Sequence, residues 1–143
     1  MFTYKIPISI TTDYVKSFGS PKPYLSAISN AGFTHIHWCH QWNTDFIYNE
    51  CEISQIKRWL SDFNLNLLDL HGSKGKEKNW VSTYEYERLA GVELVKNRID
   101  MTSRLGSDVV IMHTGDIELL PQLYKSLDEV HSFAMERNVR IAL

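Results

Sequence analysis

The sequence predicts an α/β protein built on a parallel sheet, and three observations carry that expectation. Five short apolar or β-branched runs, starting near Lys5, Phe33, Leu65, Asp108 and Val139, alternate with four amphipathic stretches. One strand, one crossover and their loops occupy about 30 residues, the length of a βα unit. Turn chemistry separates the runs, and right-handed crossovers then lay successive strands side by side.

Lys5 to Thr11 reads as the first strand, ending in the polar segment Thr11-Thr12-Asp13. Ser20 is placed to cap a first helix with Pro21 at its first position; Leu25 and Ile28 share its inner face and Asn30-Ala31-Gly32 stops it. Phe33 to Cys39 is the second strand. Ile53, Ile56, Leu60 and Phe63 mark one face of a second helix, which Asn64 ends. Leu65 to His71 has strand length, and Ser82-Thr83-Tyr84-Glu85 has the spacing of a capping box before a long third helix. Leu94, Val95, Ile99, Thr102 and Leu105 face inward from that helix, and Gly106 closes it. Asp108 to His113 is the fourth strand. Leu120, Leu123, Leu127, Val130 and Ala134 form the clearest helical stripe, ending near Asn138, and Val139 to Leu143 reads as a fifth strand.

With 143 residues the chain has the length of a single domain, 1–143, able to bury roughly 70% of its unfolded surface. A hydrophobic content of 43% and a charged content of 22% are those of a folded chain, not a disordered one. A net charge of −2 disfavours nucleic acid and anionic lipid as partners. Two cysteines, Cys39 and Cys51, make no disulfide framework and point to a reducing, cytoplasmic setting. Neither a signal peptide nor a run long enough for a membrane span is visible. Two closures fit the element order: a five-stranded doubly wound sheet, complete at this length, or the first half of an eight-stranded barrel.

In both architectures ligands gather at the carboxyl ends of the strands. The third and fourth strands each deliver one histidine there: LDLHG ends at His71-Gly72, and VVIMHTG presents His113 just before Gly115. Parallel neighbours lie about 4.8 Å apart, so two such imidazoles reach one ion at roughly 2.0–2.1 Å each. The competing structural reading is that each ring only bonds a loop carbonyl. In HIHWCHQW, His35 lies too near the amino end for chemistry, whereas His37 approaches the functional rim with Cys39 on the same face. His40, Gln41 and Trp42 follow in the loop as substrate contacts. Gly72-Ser-Lys-Gly-Lys-Glu-Lys78 lacks the phosphate-loop spacing and reads as a flexible, solvated loop. Asp69 is placed to orient His71 or another rim group.

LDLHG followed by IMHTG, with GFTHIHW before them, resembles the xylose-isomerase-like TIM-barrel superfamily of sugar phosphate isomerases, epimerases and endonuclease IV relatives. The resemblance covers strands one to five, the amino-terminal half of such a barrel in a (β/α)4-β5 pattern. It implies that His71 and His113 bind a divalent metal ion, zinc or manganese ahead of magnesium because imidazole is the donor. It also implies that His40, Gln41 and Trp42 contact a small-molecule carbohydrate, and His37, near the same rim, is counted with them as substrate-binding. In the complete barrel the implied chemistry is metal-assisted proton transfer between sugar carbons, or, as the alternative, zinc-dependent phosphodiester hydrolysis. The family's next ligand is a glutamate ending strand five, which would follow Leu143, so a truncated form is expected and no catalytic residue is assigned. A third reading is a non-catalytic half barrel that binds a small molecule. If these residues are the native product, a homo-oligomer is expected, because exposed strand edges and an apolar interior call for cover.

Overall fold

Sheet order separates the two closures. The computed structural model describes residues 8–13 and 19–143. Its five strands are β1 (Ser9–Thr11), β2 (His35–Trp38), β3 (Asn66–His71), β4 (Val109–Ile111) and β5 (Arg140–Ala142). They pair in parallel in the order β1-β2-β3-β4-β5. A doubly wound sheet reverses its order at a switch point, and this sheet has no reversal. Sequential order is that of a barrel wall, so the doubly wound alternative is set aside. The part of the first predicted strand before Ile8 lies outside the described residues.

The helices are α1 (Lys22–Asn30), α2 (Glu50–Asp62), α3 (Glu85–Arg104) and α4 (Leu120–Glu136), the last entered through a 3-10 turn at Ile117–Leu119. Their expected stripes are the faces that are buried. Leu25, Ile28, Ile53, Ile56, Leu60, Val95, Ile99, Leu123 and Val130 form one cluster with Ile36, Trp38, Leu70 and Val110 of the strands. Helix stops also lie where the sequence puts them, with Gly32, Asn64, Gly106 and Asn138 all at positive φ.

Two helix starts differ from expectation. α1 begins at Lys22 with Pro21 as its cap residue, and the Ser20 hydroxyl accepts from Lys22 N–H at 3.3 Å. The capping box expected at Ser82–Glu85 does not form. Ser82 Oγ instead donates to Glu87 Oε2 at 2.6 Å and accepts from Tyr84 N–H, and α3 starts at Glu85, later than a Ser82 cap implies. A capping box does form, unforeseen, at α2, where Asn49 and Glu52 bond each other's backbone N–H groups.

α3 is the packing hub. Gly91 lets it lie directly on the Asn79–Trp80 backbone, since a Cβ there would stand 2.2 Å from Trp80 N. Buried Arg88 bonds Glu85 of the same helix and joins it to Glu129 and Ser126 of α4, and Ser126 Oγ donates to Trp80 O at 2.6 Å. The buried cluster lies on one face of the sheet only. On the other face β2, β4 and β5 present partly exposed or exposed residues, including His35, His37, Val109, Ile111 and Ala142. Among the described residues no helix is long and apolar enough to cross a membrane.

Candidate metal and substrate site

β3 and β4 end side by side, and their register fixes what meets at the rim. His71 stands opposite Ile111, and Gly72 N–H donates to Ile111 O at 2.7 Å. Gly72 permits this closeness, because a Cβ would fall 1.8 Å from Met112 Sδ. His113 lies two residues beyond Ile111, hence on the same face. The two rings converge: His71 Nε2 and His113 Nε2 are 3.1 Å apart and the ring centroids 4.9 Å.

The hydrogen bond behind His71 settles its tautomer. Its Nδ1 lies 2.8 Å from the Gly72 carbonyl, which can only accept, so Nδ1 carries the proton and Nε2 carries the lone pair aimed at His113. Either His113 donates to that lone pair, or both rings offer lone pairs to one cation. The second arrangement fits: nitrogens 3.1 Å apart and each 2.0–2.1 Å from an ion subtend about 95–100°, between octahedral and tetrahedral angles. Among the described residues no third His, Cys, Asp or Glu completes a ligand cluster. Burial lowers the His71 pKa, and the nearby His113 and His37 rings act in the same direction. The ring is neutral, and so able to ligate, at neutral pH.

His37 belongs to this face. Its Nδ1 bonds the Asp69 carboxylate, and its ring centroid is 5.8 Å from that of His71. Asp69 reaches it through an irregularity in the ladder: Ile36 pairs with Leu67 but His37 with Asp69, leaving Leu68 as the extra residue of a bulge. The orienting role expected of Asp69 therefore serves His37. Cys39 is buried, and burial pushes its thiol up to about 11, so it is no thiolate at neutral pH. His35 bonds Thr34 Oγ1 at 2.9 Å, away from the rim.

The expected substrate contacts divide. Trp42 packs on the pair, its ring 4.6 Å from His71 and 6.0 Å from His113. His40 and Gln41 do not join it. They line a separate cleft of about 320 Å³ with Tyr48 and Trp59, at the start of α1 and along α2. The left-handed backbone of Gln41, φ 60°, marks the point where the loop parts the two. His40 stacks edge-on to Trp38 on the helix side of the sheet, and burial lowers its pKa.

The lysine-rich loop is pinned, contrary to the expectation of a flexible one. Ser73 and Gly75 are buried. Asp45 accepts from Glu77 N–H and Lys78 N–H, and Lys74 N–H donates to Trp42 O at 3.0 Å. Gly75 makes room for Asp45, whose Oδ1 would lie 2.1 Å from a Cβ there. Trp80 is buried and donates from Nε1 to His113 O at 3.2 Å. None of these contacts has a local sequence signature, because each joins residues about 30 apart.

Comparison with known proteins agrees with this architecture. The fold is similar to that of D-psicose 3-epimerase in the presence of D-fructose, at a TM-score of 0.73 and 17% identity, covering 93% of this chain and 50% of that one. A D-tagatose 3-epimerase-like protein gives 0.74 and 17%, over 95% of this chain and 51% of its own. A xylose isomerase-like TIM barrel protein from Mycobacterium smegmatis, in complex with magnesium, gives 0.67 and 13%, over 94% and 53%. The uncharacterized protein y4fM of Sinorhizobium fredii is 30% identical over 83% of this chain and 48% of its own. The chain thus spans about half the length of the relatives it matches. The family described as xylose isomerase-like TIM barrel matches residues 25–143, and the chain belongs to it.

Proposed function

We propose that this chain forms the sugar-binding wall of an isomerase- or epimerase-type barrel, with His71 and His113 seating one divalent ion and His37 and Trp42 lining the carbohydrate side. The observation that carries the reading is the 3.1 Å approach of the two Nε2 atoms at the carboxyl ends of neighbouring strands, in a family whose solved relatives include ketose 3-epimerases. Bound there, the ion would polarise a carbonyl or hydroxyl oxygen. The Gly72 carbonyl holds the His71 ring in the ligating tautomer, Asp69 orients His37, and Trp42 supplies an apolar face beside the pair. Imidazole donors favour zinc or manganese over magnesium. The carboxylates that move protons between sugar carbons come, by the family resemblance, from later strands, so the activity expected of these residues alone is binding. His40 and Gln41 are assigned no role at the ion.

Saturation-transfer NMR with D-psicose and D-fructose in the presence of zinc tests this. Transfer to a ketose in the wild type, lost in the His71→Ala and His113→Ala variants, supports it. No transfer to either sugar, or transfer unaffected by both variants, contradicts it; binding to an abasic DNA strand instead would favour the hydrolytic alternative.

A second observation favours self-association. Parallel sheets are normally covered on both faces, and here the buried cluster lies on one. Leu68 is 42% exposed on the face opposite Leu70. We infer that, where residues 1–143 are the whole native product, a second copy covers this face. Sedimentation at micromolar concentration should give a dimer or larger species, and a monodisperse monomer would refute the inference.

A further inference from the structure

α3 runs behind the sheet, yet one of its side chains reaches the rim loops. Arg98 is 1% exposed and forms no ion pair among the described residues. Its Nε–H donates to Ser73 Oγ at 2.7 Å, Nη1 to Asn97 Oδ1 at 2.6 Å and Nη2 to Phe46 O at 2.7 Å, while the guanidinium lies 4.6 Å over the Tyr48 ring. Burial lowers its pKa to about 10, so it is still a cation at neutral pH. A buried cation without a carboxylate is a poor stabilising device; a well-packed apolar side chain would serve stability as well or better. What the guanidinium offers is a rigid planar fork joining three segments at once. Two of them flank the rim, the loop from β2 that carries Trp42 and the loop from β3 that follows His71.

The link to the rim is short. Ser73 follows Gly72, and the Gly72 carbonyl accepts from His71 Nδ1. We propose that Arg98 is a positioning residue for the imidazole pair: by gripping Ser73 it holds the Gly72 carbonyl at His71 Nδ1 and so keeps the His71 Nε2 lone pair turned to His113. Asn97 strengthens the same anchor. Its side chain accepts from Tyr48 N–H at 3.0 Å and donates to Tyr48 O at 2.8 Å, fixing the backbone next to Phe46. The proposal rests on the ion-seat reading for its metal readout, but not for its tautomer readout.

The experiment compares wild type with Ser73→Ala, Arg98→Met and Arg98→Lys. Long-range nitrogen–proton NMR at alkaline pH reads the His71 tautomer without any metal, and cobalt(II) titration followed by visible absorption reads the ion seat. Wild type should show protonated Nδ1. Ser73→Ala and Arg98→Met should shift His71 toward protonated Nε2 and lower cobalt affinity about tenfold or more, the usual cost of losing an outer-shell partner. Arg98→Lys, which keeps the charge without the fork, should fall between. If Arg98→Met does not fold, Ser73→Ala decides alone. An Nδ1–H tautomer kept in the folded variants overturns the proposal, even if their thermal midpoints fall, since that is the mark of a merely structural arginine. A tautomer shift in a protein that takes up no cobalt sustains the positioning role and removes the ion-seat reading.

Discussion

Leu68 and Leu70 lie two residues apart on β3, yet Leu70 is fully buried while Leu68 is 42% exposed. Regular pleating would put them on one face, and the bulge at Leu68 turns the two to opposite faces. On the face of Leu70, Ile36, Trp38 and Val110 meet four helices in an apolar cluster. On the face of Leu68, His37, Asp69 and His71 look away from every helix, with His113 beyond them. The contrast separates two tasks. Burial on the covered face pins the strands, and that rigidity lets the bare face hold polar side chains whose positions no core packing fixes.

The strongest way to break this comparison is to truncate each leucine in turn. Leu70→Ala should cost about 2–5 kcal/mol in chemical denaturation, the range for a fully buried leucine, and ion uptake by the remaining folded fraction should be unchanged. On the bare face, His71→Ala should reverse the pattern, weakening zinc or cobalt binding by more than about 100-fold, since loss of an outer-shell partner alone costs 10- to 100-fold, with little change in stability. His35→Ala, on the same face but away from the rim, should leave the affinity untouched in the same titration.

Gly91→Ala sharpens the covered side. Helix propensity favours alanine by about 1 kcal/mol, but a Cβ 2.2 Å from Trp80 N forces α3 off backbone that cannot yield. The clash should win, leaving a net loss of about 1–3 kcal/mol in thermal unfolding. Leu68→Ala should change unfolding by about 0.5 kcal/mol or less at high dilution. At micromolar concentration it should also shift sedimentation toward monomer, which would mark Leu68 as part of the covered interface.

The gentlest lever is pH. Burial lowers the pKa of both His71 and His40 from the ordinary 6.5. Below that value the unfolded chain takes up protons that the folded rings refuse, so the stability they contribute is complete above 6.5 and falls as the solution is acidified toward the lowered folded values. Denaturation curves across that interval should show the loss, and His71→Ala should reduce it to the share that His40 contributes.

Much of this was legible in the sequence. Apolar stripes on Ile53–Leu60 and Leu123–Ala134 named the buried helix faces, and a histidine before a glycine turn on consecutive strands was enough to bring His71 and His113 to one rim. The bulge was hidden, because Leu67 to Leu70 is uniformly apolar apart from Asp69 and shows no broken alternation. So was the parting of Gln41 from Trp42, which depends on one left-handed residue. The lysine-rich loop reads as solvated by composition, and the contacts that pin it come from Trp42, Asp45 and Arg98, all distant in the chain. Ser82 and Glu85 had the spacing of a capping box, but Glu87 took the hydroxyl instead.

The proposed function requires the two rim imidazoles to act as one seat. Zinc titration monitored by histidine ring NMR measures this directly. The result expected is that His71 and His113 respond together, complete at one ion per chain, while His35, away from the rim, and the exposed His131 of α4 stay unmoved. Separate responses at different zinc concentrations, or none at either ring, would contradict it.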